Sequence, residues 1–217
     1  MTASVELIIL HLTKTGDNSV VIHTLSREYG RKSFFVRGVG KGAMMTMFLP
    51  MNILECEITE NRRSSLSSAG RPVLACPLMG IRNSMYKNSM TMFMSEVLYR
   101  IMKEGTDEPG IYDWCRRSIL LLDAMESDFS NFHIRFLLEL AVVLGFRPSC
   151  EDLAPFAGEL APLAGRFLTE PFGQSMLIPL TGTVRSLLAE TILKYLEYHT
   201  ESSLNVNSLR VLHEILA

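Results

Sequence analysis

Cysteine is scarce in this chain, with four in 217 residues. Cys56, Cys76, Cys115 and Cys150 stand at no metal-binding spacing, and each lies in or beside an apolar segment. Free, buried thiols are expected rather than a disulfide framework. Long apolar runs are missing as well. None approaches the ~20 residues that a membrane span requires. The first residues show no basic flank followed by an apolar core and a cleavage site. The expectation is a cytoplasmic protein.

Signatures of catalysis are equally thin. No glycine-rich loop leads into Lys-Ser/Thr. Gly38-Val39-Gly40-Lys41-Gly42 lacks both the spacing and the terminal hydroxyl of a nucleotide loop. It reads as a turn between strands, or as a basic loop able to approach a phosphate backbone. The histidines (His11, His23, His133, His199 and His213) form no HExxH and no Cys/His cluster. No Ser-His-Asp or paired-carboxylate arrangement is legible, since such constellations are spatial. The chain is therefore expected not to be an enzyme, and to need no cofactor and no metal.

Net charge is small too, at −2, which argues against indiscriminate nucleic-acid binding by the chain as a whole. The total hides a split. Residues 1–90 hold 11 Lys/Arg against 6 Asp/Glu, a balance of +5, while residues 91–217 hold 10 against 17, a balance of −7. A hydrophobic fraction of 47% and a length that buries roughly 70% of the unfolded surface exclude dominant disorder. The 13 methionines read first as adaptable core filling.

The texture of the chain changes near residue 82. Before it, segments are short and rich in β-formers: Glu6 to Leu12, Val20 to Leu25, Lys32 to Val36 and Met44 to Leu49, the last ended by Pro50. In Ile53 to Thr59 the alternation is clearest, with Leu54, Cys56 and Ile58 on one face and Glu55, Glu57 and Thr59 on the other. Val73 to Leu78 reads as a last short strand or an extended linker. Five or six strands without a long helix predict a small closed antiparallel barrel, with an SH3-like barrel or a half sandwich left open. After residue 82 the period is helical. Met90, Phe93, Met94, Val97, Leu98, Ile101 and Met102 form one face. Further helices are expected after Pro109, over Phe132–Leu144 and over Val184–Leu196, and a short final one is capped by Asn207. The fold class is thus α+β, with a barrel over 1–80 and a helical domain over 81–217. Its residues 149–182 are expected to be an irregular connection punctuated by Pro and Gly, with a short turn of helix at 158–168.

The basic residues of the first part are the strongest chemical clue. Arg27, Arg31, Lys32, Arg37 and Lys41 are joined by Arg62, Arg63 and Arg71, with Tyr29, Phe34, Phe35 and Phe48 interleaved. A small barrel can present such a row to a nucleic-acid strand. Contacts would go mostly to phosphates, which carry no sequence information. Phe34 and Phe35 are adjacent, so one of them is core whatever the other does. An ordinary solvated basic face is the alternative, as is a scaffold whose barrel binds an acidic protein partner.

Several segments carry a resemblance. Leu25-Ser26-Arg27-Glu28-Tyr29-Gly30-Arg31-Lys32, Phe48-Leu49-Pro50-Met51-Asn52-Ile53-Leu54-Glu55, Phe136-Leu137-Leu138-Glu139-Leu140 through Leu144-Gly145-Phe146, and Leu193 to His199 followed by Ser208-Leu209-Arg210-Val211-Leu212 stand in order along the chain. Together they resemble the bacterial DNA repair and recombination mediator family RecO, nearly end to end.

The resemblance implies an N-terminal OB-fold followed by a helical domain. It implies binding of single- and double-stranded DNA, annealing of complementary strands, and help in loading the recombinase RecA. It also implies the partners RecR and the single-strand-binding protein, the latter engaged through its acidic, Phe-ending tail. Arg116, Arg117 and Arg135, beside an apolar groove of the acidic helical half, are candidates to receive that tail, with plain surface salt bridges as the alternative. Many relatives carry a four-cysteine zinc site in the stretch matching 149–175. Only Cys150 stands there in this chain, which places it with a zinc-free, Bacteroides-like branch. Phe156, Phe167, Phe172 and neighbouring leucines are expected to hold that stretch instead.

Overall fold

The computed structural model describes residues 2–39, 42–60, 66–106 and 108–216. Five strands come first: β1 (Thr2–Gly16), β2 (Ser19–Ser26), β3 (Gly30–Arg37), then helix α1 (Ala43–Met47), β4 (Ile53–Thr59) and β5 (Ser67–Leu74). The chain continues through α2 (Met79–Arg82), α3 (Met85–Ile101), α4 (Ile111–Ala124), α5 (Phe132–Val143), α6 (Cys150–Ala157), α7 (Ala161–Thr169), α8 (Phe172–Met176), α9 (Gly182–Thr200) and α10 (Ser208–Leu216). They form two compact units. One joins Met1–Met79 with Met102–Ile119, and the other joins Gly80–Ile101 with Leu120–Ala217.

In the first unit the strands close into a barrel in the order β1-β2-β3-β5-β4. All neighbours are antiparallel except β3 and β5, which run parallel and pair only at Phe34↔Ser67 and Phe35↔Ser68. This topology, with a helix between β3 and β4, is an OB-fold. The expected closed antiparallel barrel forms, with one short parallel seam between β3 and β5. A parallel closure needs a crossover, and α1, β4 and the chain between them supply it. The core holds Val5, Leu7 and Ile9 of β1, Val20 and Ile22 of β2, Phe34 and Val36 of β3, and Leu54, Cys56 and Ile58 of β4. Gly30, at φ 57°, makes the turn between β2 and β3 in a conformation costly for other residues.

The segment Met44–Leu49, read as a strand, is helical from Ala43 to Met47. Met44, Met45 and Met47 pack against the barrel core. A short apolar run does not tell helix from strand by period, and unbranched Met favours the helix. Asn52, almost fully buried, holds the end of α1 by donating its side-chain amide to the carbonyls of Thr46 (3.1 Å) and Met47 (2.9 Å).

The second unit is helical throughout its described residues. α10 packs on α3, α5 on α3, α7 and α9, and α6 on α9. The stretch 149–182, expected as an irregular connection with one turn of helix at 158–168, has α7 there, and α6 and α8 add two helices that were not expected. Ser149 and Asp152 form a reciprocal capping box that starts α6. Pro162 lies in the first turn of α7 and Pro171 precedes α8, positions where a missing N–H costs nothing. Phe167 is fully buried, Phe172 meets Phe132 edge-on at 6.0 Å, and Phe156 meets Tyr195 at 5.7 Å.

Asn207 was expected to cap α10; Glu96 of α3 does so instead. Its carboxylate accepts from Ser208 N (2.9 Å), Ser208 Oγ (2.6 Å) and Asn207 N (3.2 Å), and from Arg100 Nη2 at 2.8 Å. Burial alone would raise the Glu96 pKa, but the bonds from Ser208, Arg100 and Asn207 outweigh it and hold the group below its ordinary value. Glu96→Ala is expected to destabilise the protein by about 3 kcal/mol, since it strands several donors at once. Urea denaturation measures this. The folded-state pKa is the lower one, so the contribution is full above the ordinary carboxylate range and fades as pH falls towards the folded value. The variant should lose that part of the acid dependence.

The thiols only partly match expectation. Cys56 and Cys115 are buried, and burial pushes each up to about 12. Cys76 is partly exposed and Cys150 exposed, and all four are free. Cys150 opens α6 and lies beside Gly165 of α7, where a Cβ would stand 3.9 Å from its Sγ.

Candidate nucleic-acid interface

Strand register decides what the barrel shows outside. On β3, Phe34 and Val36 point into the core, while Ser33, Phe35 and Arg37 take the opposite parity. Phe35 pairs with Val21 of β2 and Ser68 of β5. Phe35 is partly exposed and Arg37 exposed. The guanidinium of Arg37 lies 5.5 Å from the Phe35 ring centroid. Lys32, of inward parity but at the barrel's end, holds its ammonium 4.3 Å from the Tyr29 ring and 5.6 Å from that of Phe34.

The same outer face carries a hydrogen-bonded row. His23 Nε2 meets Thr13 Oγ1 at 3.0 Å, its Nδ1 meets Ser33 Oγ at 2.8 Å, and Ser33 Oγ donates to Glu104 at 2.9 Å. His11 stacks on His23 at 5.7 Å. Burial first, then the charges of Arg31 and His11, push the His23 pKa down against the pull of Glu104. His23 is therefore mostly neutral at pH 7 and adds little charge to the face.

Not every predicted cation reaches this surface. Arg31 is 4% exposed, which removes it from any surface row. Beyond the short β5 pairing, the edge of β3 is covered by residues 104–106. Gly105 N donates to Arg31 O at 2.9 Å, Arg31 N to Thr106 O at 3.2 Å, and Ser33 N to Glu104 at 3.0 Å. Arg27 is exposed but paired with Asp113, a contact of the kind worth little in water. Lys41, Arg62 and Arg63 lie outside the described residues. Lys14, exposed beside the β1–β2 turn, is a further barrel cation that the clustering argument missed because it stands alone in sequence.

The three arginines assigned to a partner tail do not share one setting. Arg116 and Arg117 belong to the first unit and Arg135 to the second. Arg116 Nε donates to Glu6 at 2.7 Å, and the Tyr112 hydroxyl bonds the same carboxylate. Burial alone would raise the Glu6 pKa, and these two bonds outweigh it and lower it. Arg135 donates to Glu139 at 2.6 Å and to the carbonyls of Phe167 and Glu170. Of the three, only Arg117 is exposed and has no ion pair among the described residues. With Glu6, Arg27, Glu28, Tyr112, Asp113 and Arg116 it lines a cleft of about 390 Å³. Its three carboxylates balance its three guanidiniums.

Family models decide the affiliation. The model for the N-terminal part of recombination protein O matches residues 1–71, and the model for its C-terminal part matches residues 82–154. The chain belongs to the RecO family. It is 32% identical over 161 residues to the DNA repair protein RecO of Porphyromonas gingivalis, covering 71% of this chain and 64% of that one. To that of Phocaeicola vulgatus it is 31% identical over 148 residues, covering 67% and 61%. The matched segment therefore spans a little under two thirds of these relatives. To the RecO of Azobacteroides pseudotrichonymphae it is 22% identical across 99% of both chains.

The residues of this RecO-family chain do not fit the four-cysteine zinc site that the resemblance implies for many relatives. Cys150 is alone in that stretch, and no group of three His, Cys, Asp or Glu converges among the described residues. His11 and His23 meet as a stacked pair, but among the described residues no third ligand joins them. His133, 2% exposed and 5.9 Å from Phe93, is pushed down to about 3 by burial and the Arg185 charge, and serves the core as a neutral ring. Among the described residues, no helix is long and apolar enough to cross a membrane.

Proposed function

We propose that this chain is a non-enzymatic DNA repair and recombination mediator of the cytoplasm. It binds single- and double-stranded DNA through its barrel, anneals complementary strands, and helps load the recombinase onto DNA coated by single-strand-binding protein. The observation that carries this is an OB-type barrel in a RecO-family chain with cations beside aromatic rings, the exposed Arg37 by Phe35 and the partly exposed Lys32 by Tyr29. OB barrels bind oligonucleotides on their β2–β3 face and through the adjoining loops. Arg27, Lys32 and Arg37, with Lys41, Arg62 and Arg63, neutralise phosphates, and Lys14 extends the set. Neutralising two backbones at once lets complementary strands meet without nucleotide hydrolysis. The partners are RecR and the acidic tail of the single-strand-binding protein. For the tail, Arg117 is the cation that keeps its charge available.

An annealing assay on complementary oligonucleotides, with and without single-strand-binding protein and without any nucleotide, tests the reading. Annealing faster than the spontaneous rate, and weakening as salt rises, is expected. Annealing that ignores salt, or no measurable DNA affinity beside tight binding to an acidic protein, would replace the reading with a protein scaffold.

A further inference from the structure

Phe35 is a large apolar ring that the barrel core does not use. Phe34, its neighbour, is fully buried within the core, while Phe35 faces outward. Burying an aromatic ring is strongly favourable, so a ring left partly exposed on a strand's outer face offers that exposed part to a ligand. The surface beside it is built for one. Phe35, Arg37, Thr59, Glu60, Ser68, Ala69 and Gly70 line a groove of about 500 Å³ along β3, β5 and the end of β4. Its depth follows from the seam. β3 and β5 pair for two residues only, and Ser68, the partner of Phe35, has a small side chain that rises little beside the ring. Gly70 adds no wall, for a Cβ there would meet nothing closer than the Glu57 carbonyl at 3.9 Å.

We infer that this groove is a nucleobase-stacking subsite, in which Phe35 is the platform for one unpaired base and Arg37 holds the adjoining phosphate. The inference rests on the DNA-binding reading above and narrows it to a place and a strand type. A flat apolar face beside a guanidinium and hydroxyl groups matches a nucleotide, which is flat at the base, anionic at the phosphate and rich in hydrogen-bonding edges. Thr59 and Ser68, which line the groove, supply hydroxyls for those edges. Glu60 also lines the groove, and its carboxylate repels phosphate, so the backbone runs beside Arg37 instead. A groove of this volume lies in the range of small-ligand sites and accepts a single nucleotide rather than a duplex. In a duplex the base faces are already stacked on one another, so the subsite selects single strands.

The test uses the full chain with a fluorescent oligo(dT), a duplex of equal length, and inorganic phosphate as competitor. Base stacking on an aromatic ring is sequence-tolerant, and its loss costs between about fivefold and a hundredfold in affinity. Phe35→Leu is expected to weaken oligo(dT) binding within that range, with its salt dependence and duplex binding unchanged. Phe35→Trp is expected to restore affinity and to show its indole fluorescence quenched by oligo(dT) but not by phosphate. Arg37→Gln is expected to reduce the salt slope instead. The melting temperature of Phe35→Leu confirms that it folds, and the Trp variant tests the site independently of that. If the native chain binds oligo(dT) and Phe35→Leu binds it equally well, or the Trp variant is not quenched, the subsite is wrong while DNA binding stands. If the native chain binds no DNA, the underlying function is wrong and the subsite falls with it.

Discussion

Lys32→Glu combined with Arg37→Glu lowers affinity for single-stranded DNA by about a hundredfold at moderate salt. Phosphate contacts lose roughly half a decade of affinity each over a fourfold salt change, and each reversal removes one attraction and adds one repulsion. Loss of two cations also reduces the slope of log affinity against log salt by about 1.4 for a single strand. Fluorescence anisotropy at several salt concentrations measures both quantities. Lys32 and Arg37 are the right pair because their charges sit beside aromatic rings and neither enters an ion pair among the described residues. Arg31→Glu is the informative contrast. Its side chain is 4% exposed and its backbone is bonded to residues 105 and 106. Reversal there buries a carboxylate and is expected to show as a loss of melting temperature. Unchanged affinity and an unchanged salt slope in the double variant would remove the barrel from the DNA-binding account.

Gly80→Ala destabilises the second unit by about 3 kcal/mol or more, the upper end for overpacking. A Cβ at Gly80 would lie 2.0 Å from the carbonyl oxygen of Asp123 and 3.2 Å from its Oδ1. Asp123 has no freedom to retreat. Its Oδ1 accepts from Ile81 N at 2.7 Å, and its carbonyl accepts from Lys87 Nζ at 3.1 Å. The Lys87 ammonium also bonds the Met125 carbonyl, and the residue is 4% exposed. Burial pushes the Lys87 pKa down, so withdrawing its carbonyl partners exposes an already costly charge. Each kcal/mol shifts the midpoint of a chain this size by roughly 2–4 °C, so thermal denaturation should show a drop of about 10 °C. Gly173→Ala is the control. No atom lies within 4 Å of a Cβ there, and the melting temperature should hold or rise slightly. An equal melting temperature for Gly80→Ala would mean that α2 does not pack as described.

What was legible in the sequence follows how local each determinant is. Alternation in Ile53 to Thr59 placed Leu54, Cys56 and Ile58 inside correctly, because a strand's parity is carried by its own residues. The helical face from Met90 to Ile101 was equally plain. Met44 to Leu49 was misread, since five or six apolar residues satisfy both periods. The α10 cap was misassigned to Asn207 because Glu96 stands 111 and 112 positions from the groups it binds. The stretch 149–182 looked irregular from its prolines. Two of them stand at helix starts, and composition alone does not distinguish a proline that begins a helix from one that breaks it.

The candidate site divides the same way. Sequence alone determined that the cations cluster in the first part, that one of Phe34 and Phe35 is core, and that ordered segments place the chain in the RecO family. Only the tertiary structure decided that Phe34 goes in and Phe35 out, that Arg31 is covered while Arg37 is free to meet solvent, and that Arg116 answers Glu6 across 110 residues. The physical reason is that periodicity belongs to one segment. Which parity faces the core, and which strand edge is covered, are set by pairing with residues far along the chain. The parallel β3–β5 seam and the return of residues 104–106 to β3 settled both.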